Sequence, residues 1–119
     1  MKKVLIADDT PFMRHMLSEI LERNGFEVVG EAENGAEAVR MYKHLSPDLI
    51  TLDITMPEMD GIQALEEIME MDPKALAIMV SAVGSAENVL RAIKIGAKNF
   101  ITKPFNEEKI LTAIQSIKE

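Results

Sequence analysis

The chain contains no cysteine, which excludes disulfides and thiolate chemistry. Its two histidines are too few to build a typical structural zinc site. Positive charge is also scarce: 13 lysines and arginines stand against 20 aspartates and glutamates, for a net charge of −7. Nucleic-acid binding needs the opposite balance to neutralise phosphates, so protein partners or small cations are expected and nucleic acid is not. No apolar run approaches the roughly 20 residues that span a bilayer. Lys2 and Lys3 are followed by only a few apolar residues before Asp8 and Asp9, which is unlike a secretory signal. A cytoplasmic monomer with no membrane partner is therefore the expected form. Internal repeats and low-complexity segments are absent from the sequence as well.

What is present describes one ordinary globular domain over residues 1–119, with 47% hydrophobic and 28% charged residues. Short apolar runs alternate with longer helical patterns five times, which predicts an α/β fold of (βα)5 type, a parallel sheet covered on both faces by helices. The strands are expected at Lys3–Ala7, Glu27–Ala32, Leu49–Leu52, Ala77–Val80 and Asn99–Thr102. A strand buried on both faces cannot alternate polar with apolar residues. Strands 1, 3 and 4 are the most continuously apolar and belong at the centre, with strands 2 and 5 at the edges. This gives a five-stranded parallel sheet of order 2-1-3-4-5.

Helix signals fill the intervals. Thr10-Pro11 reads as a cap followed by proline at the first helical position, and Met13, Met16, Leu17, Ile20 and Leu21 follow at helical spacing until Gly25. A second helix begins near Asn34, carries Ala38, Val39, Tyr42 and Leu45, and ends at Ser46-Pro47; a third runs from Gly61 to Met71. Ser85 and Asn106 cap the last two. The fourth is expected to bury Ala86, Val89, Leu90 and Ile93 before Gly96 closes it, and the fifth Ile110, Leu111, Ile114 and Ile117.

Ligands of open α/β sheets bind outside the carboxyl ends of the strands. Strand 1 ends in Asp8-Asp9, strand 3 in Asp53, strand 4 in Ser81 and strand 5 in Lys103. Three carboxylates at one rim repel one another unless a cation joins them, and carboxylate oxygens suit a hard divalent ion such as Mg²⁺. Lys103 and Ser81 could then meet phosphate oxygens, because phosphoryl transfer needs chiefly positioning and charge neutralisation. One of the aspartates would be the nucleophile. Strand 2 ends near Glu31 and Glu33, but it lies on the outer side of strand 1, which leaves both outside the expected site.

Asp8-Asp9, Asp53 with Met56-Pro57-Glu58-Met59-Asp60-Gly61, Ser81-Ala82 and Lys103-Pro104-Phe105 together resemble the response-regulator receiver pattern over essentially the whole chain. The stretches ADDTPFMRHML, LDITMPEMDGI and FITKPF most resemble the stand-alone chemotaxis members of that family. Receivers share the order 2-1-3-4-5, so that expectation does not rest on strand composition alone. The resemblance implies that Asp53 is the phosphoacceptor, that Asp9 binds Mg²⁺ directly and Asp8 through water, and that Thr55 lends its backbone carbonyl. It implies that Ser81 and Lys103 meet the phosphoryl group and that the Lys103–Pro104 bond is cis. Phe100 falls where the family carries its switch aromatic, usually a tyrosine; lacking the phenol, it can act only through burial. Thr55 likewise replaces a common asparagine. The implied partners are a chemotaxis-type sensor histidine kinase, a flagellar motor switch protein and a phosphatase, and the chain would be a phosphoacceptor switch rather than a turnover enzyme.

Each residue alone has a plainer reading. Isolated Asp53 or Ser81 would be a turn or cap residue, Asp8-Asp9 an ordinary strand-to-helix turn, and Lys103 a surface lysine. Their convergence favours a site. His15 and His44 lie on helices away from the rim, and most methionines read as core filling. A phosphorelay intermediate and a metal-dependent phosphatase are the competing functions; the latter lacks an evident acid or base for a leaving group.

Overall fold

Strands of four to six residues, each followed by a helix, build the alternation seen in the computed structural model, which describes residues 2–117. The elements are β1 (Lys3–Ala7), α1 (Pro11–Arg23), β2 (Glu27–Ala32), α2 (Gly35–Leu45), β3 (Leu49–Leu52), α3 (Gly61–Met71), β4 (Ala77–Ser81), α4 (Ala86–Ile95), β5 (Asn99–Thr102) and α5 (Glu107–Gln115). All pairings are parallel, and the sheet order is β2-β1-β3-β4-β5. Every residue of β3 and β4 is buried, whereas β2 and β5 are only partly covered, as their edge positions require. β4 runs one residue past the expected end and takes Ser81 into the sheet.

Two cores flank the sheet. Leu5, Ile50, Leu52 and Met79 face α2, α3 and α4, where they meet Tyr42, Leu65, Ile68 and Ala92. Val4, Ile6, Ile78 and Ile101 face α1 and α5, where they meet Leu17, Ile20, Leu21 and Ile110. No helix among the described residues is long and apolar enough to cross a membrane.

Local chemistry sets most boundaries. Asn34, Ser85 and Asn106 accept hydrogen bonds from the backbone of Glu37, Asn88 and Lys109, and Asp60 forms a full capping box with Gln63. Thr10 sits at the cap position of α1, but its side chain makes no cap bond; the hydroxyl donates to Asp9 Oδ1 at 3.3 Å instead.

The apolar stripe expected on α4 faces outward. Leu90 is 57% exposed and Ile93 43%, Ala86 is exposed and Val89 half-buried, while Ala92 is the buried residue. α4 has apolar residues on two stripes, and periodicity alone cannot rank them. α4 packs on α3 and β5, and the close approach at its end, where Gly96 lies against Met69, favours the small Ala92 on the inner side. On α5, Ile110 and Ala113 are buried; Leu111, Ile114 and Ile117 are half-covered.

Candidate functional site

Strand alternation decides which residues emerge together. Ile6 and Ile101 point toward α1 and α5, and Thr51 is in register with Ile6, so Asp8, Lys103 and Asp53, each two residues further on, leave the sheet on that face. Lys103 Nζ donates to Asp8 Oδ2 at 2.6 Å and to Asp53 Oδ2 at 3.0 Å. All three side chains are nearly covered, at 13% exposure for the lysine and 8% for each aspartate. Burial pulls the Lys103 ammonium toward deprotonation, but its hydrogen bonds to Asp8 and Asp53 and their charges outweigh this and hold its pKa above the ordinary 10.5.

Asp9 stands exposed beside them, and one oxygen each from Asp8, Asp9 and Asp53 lies within 4.8 Å of the others. One ammonium cannot neutralise three carboxylates. An all-oxygen donor set with a negative surplus fits a hard divalent cation better than a transition metal. Thr55, in the loop after β3, is exposed and donates its backbone N–H to Asp53 Oδ1 at 3.3 Å.

Ser81 and Phe100 occupy the opposite face of the sheet, under α4. Ser81 is fully buried and its Oγ accepts the backbone N–H of Val83 at 3.3 Å. Phe100 is half-buried against the core beneath α2 to α4. A Cβ placed on Gly84 would lie 2.8 Å from Thr102 Oγ1 and 3.4 Å from the Phe100 ring, so the β4–α4 loop rests on these two side chains. The Lys103–Pro104 bond is cis.

Two features escaped the sequence reading. A Cβ on Gly61 would lie 1.9 Å from the Asp53 carbonyl oxygen, so only glycine lets α3 begin against the end of β3. Arg14 looks like a surface residue of a helix, yet its side chain is 12% exposed. Its Nη1 donates to the Asp8 carbonyl at 2.6 Å and its Nε to Glu31 Oε1 at 3.1 Å. Its partners, a carboxylate 17 residues away and a backbone carbonyl, leave no spacing pattern in the sequence. His15 is exposed and pairs with Glu19 at 3.4 Å, and His44 is exposed on α2, so neither joins the rim.

A doubly wound parallel sheet with a carboxylate cluster and a lysine outside the carboxyl ends of its strands defines a flavodoxin-like domain with an acidic, cation-competent site. More particularly, the chain belongs to the response regulator receiver family, whose domain profile matches residues 4–115. It is 59% identical over 112 residues to the chemotaxis protein CheY of Bacillus subtilis, covering 94% of this chain and 93% of that protein. It is 53% identical to CheY of Thermotoga maritima, over 98% of this chain and 97% of the relative. Among solved structures, the CheX–CheY complex with BeF3 and Mg²⁺ from Borrelia burgdorferi aligns with a TM-score of 0.96 and 43% identity, covering 98% of this chain and 88% of that one.

Proposed function

We propose that this receiver is a chemotaxis-type output regulator, phosphorylated on Asp53 by a sensor histidine kinase and then engaging a flagellar motor switch protein. The observation that carries the reading is the Lys103 ammonium bridging Asp8 and Asp53 inside the three-carboxylate cluster. The similarity to chemotaxis proteins across nearly the full length supports the pathway.

Asp8, Asp9, Asp53 and the Thr55 backbone carbonyl would hold Mg²⁺. When bound, the ion supplies the charge that offsets repulsion between carboxylates and phosphoryl oxygens. A carboxylate oxygen of Asp53 bonds to phosphorus as the P–N bond of the kinase's phosphohistidine breaks, and the imidazole nitrogen leaves with the bonding pair. Lys103, already beside Asp53, pairs with a phosphoryl oxygen.

The signal then crosses the sheet. The Ser81 hydroxyl gives up Val83 and donates to a phosphoryl oxygen, the loop carrying Gly84 follows, and the Phe100 ring against that loop repacks. Completing the burial of Phe100 contributes ~1.5–3 kcal/mol, enough to bias a two-state equilibrium by about tenfold or more. The output surface is α4, β5 and α5. There the exposed Leu90 and Ile93 are accompanied by exposed Arg91, Lys94 and Lys98, a basic and apolar patch on an acidic chain. A phosphatase would reset the switch.

Incubation with a small phosphodonor and Mg²⁺ should give an acid-labile, base-labile adduct mapping to Asp53, and Asp53→Asn should fold yet lose it. An adduct of undiminished yield in that variant would sink the assignment. Transfer to a histidine phosphotransfer domain, with no affinity for the motor switch, would favour the phosphorelay instead.

A further inference from the structure

Asp9 supplies the exposed carboxylate of the cluster from a turn, not from a strand, so something must fix its backbone. Two peptide planes flank the Asp9 Cα. The plane after it is fixed by the Thr10 N–H, which donates to Asp8 Oδ1 at 2.9 Å. The plane before it is fixed by Arg14, whose Nη1 reaches the Asp8 carbonyl at 2.6 Å. The rest of the turn is anchored by backbone: Asp8 N–H donates to Ala32 of β2 at 3.0 Å, and Arg14 N–H to Thr10 at 3.1 Å.

Arg14 is itself held. Its Nε donates to Glu31 Oε1 at 3.1 Å, so the guanidinium spans from the edge strand β2 to the turn after β1 with two bonds in a fixed fork. We infer that Arg14, oriented by Glu31, is a positioning residue that presents the Asp9 carboxylate to the divalent cation; this rests on the reading of Asp8, Asp9 and Asp53 as the Mg²⁺ site. Glu31 thereby acts on the site from outside it.

The sign of the effect separates positioning from charge. Arg14 is a cation close to a cation site, so through-space electrostatics alone predicts that Arg14→Ala tightens Mg²⁺ binding and that Arg14→Lys leaves it unchanged. Positioning predicts weaker binding in both, because a lysine ammonium is a point donor that cannot reproduce the fork. Partners that orient metal ligands typically contribute 10–100-fold to affinity, so the expected loss is about tenfold for Arg14→Ala and several-fold for Arg14→Lys.

The test is isothermal titration calorimetry of Mg²⁺ into wild type and the two variants, with urea midpoints measured alongside. Weakened binding in Arg14→Lys at a near-native urea midpoint supports the inference. Wild-type affinity in Arg14→Lys, or tighter binding in Arg14→Ala, overturns it and leaves Arg14 as a helix-to-sheet clamp only. Should Arg14→Ala fail to fold, Arg14→Lys decides alone. If wild type itself takes up no Mg²⁺, the assignment of the metal site fails instead.

Discussion

Helices α3 and α4 cover the same face of the sheet, yet α3 buries Gly61, Ile62, Ala64, Leu65 and Ile68 while α4 buries Ala92. α3 starts flush against the Asp53 carbonyl and carries a reciprocal capping box with Gln63. α4 starts after a loop resting on Thr102 and Phe100, with a single side-chain cap from Ser85 at 3.2 Å. Low burial makes local displacement cheap. The helix adjoining Asp53 is thus deeply seated and the helix above Ser81 loosely attached, a division suited to the switch proposed above.

The largest expected effect tests that contrast directly. Leu65→Ala should cost about 2–5 kcal/mol, because it opens a cavity in a fully enclosed part of the core. Leu90→Ala, on the exposed stripe of α4, should stay within about 0.5 kcal/mol. Urea unfolding of both variants measures the difference. Equal costs would mean that α4 is bound as firmly as α3.

The same contrast explains what the sequence disclosed. Strands were legible because burial on both faces enforces apolar runs such as residues 4–7, the sheet order because those runs agree with the family resemblance, and helix starts because Asn34, Asp60, Ser85 and Asn106 are good caps. The meeting of Asp8, Asp9, Asp53 and Lys103 was legible because a parallel sheet places strand ends side by side, whereas Ser81, expected with them, lies on the other face. The inner side of α4 was not, since Leu90 and Ile93 satisfy helical spacing as well as Ala92 does. Arg14 was hidden for another reason: its partners Glu31 and the Asp8 carbonyl are distant along the chain or belong to backbone, and neither leaves a spacing pattern.

A smaller effect is expected at the site itself. Asp9→Ala removes one of three crowded carboxylates without touching the Lys103 bridge, so it should raise stability by about 0.5–2 kcal/mol while weakening Mg²⁺ uptake. Metal-free thermal melts check the first half and calorimetry the second. A destabilised variant would show that Asp9 is held by its local bonds more strongly than it is repelled, and would place the carboxylate rim nearer to α3 than to α4 in character.

The smallest effect compares the two ends of the sheet under alkali. At the rim, the pKa of Lys103 is held above 10.5. At the far end, burial first, and then the hydrogen bond and charge of Asp72, push the Tyr42 phenol up from its ordinary 10.0. Its hydroxyl donates to Asp72 Oδ2 at 2.8 Å, tying the end of α2 to the end of α3. Both folded pKa values are raised, so both contributions are fully present below the unfolded values and are lost as pH rises through the folded ones. Stability should therefore decline from about pH 10 upward. Tyr42→Phe removes the phenol's share, at a cost near neutrality on the order of 1 kcal/mol for the lost hydrogen bond. Its stability should fall less steeply than wild type between about pH 10 and 12, leaving the Lys103 contribution alone. Urea midpoints across that window measure the two slopes. Parallel curves would mean that the α2–α3 tie does not resist alkali and that the loss originates at the rim.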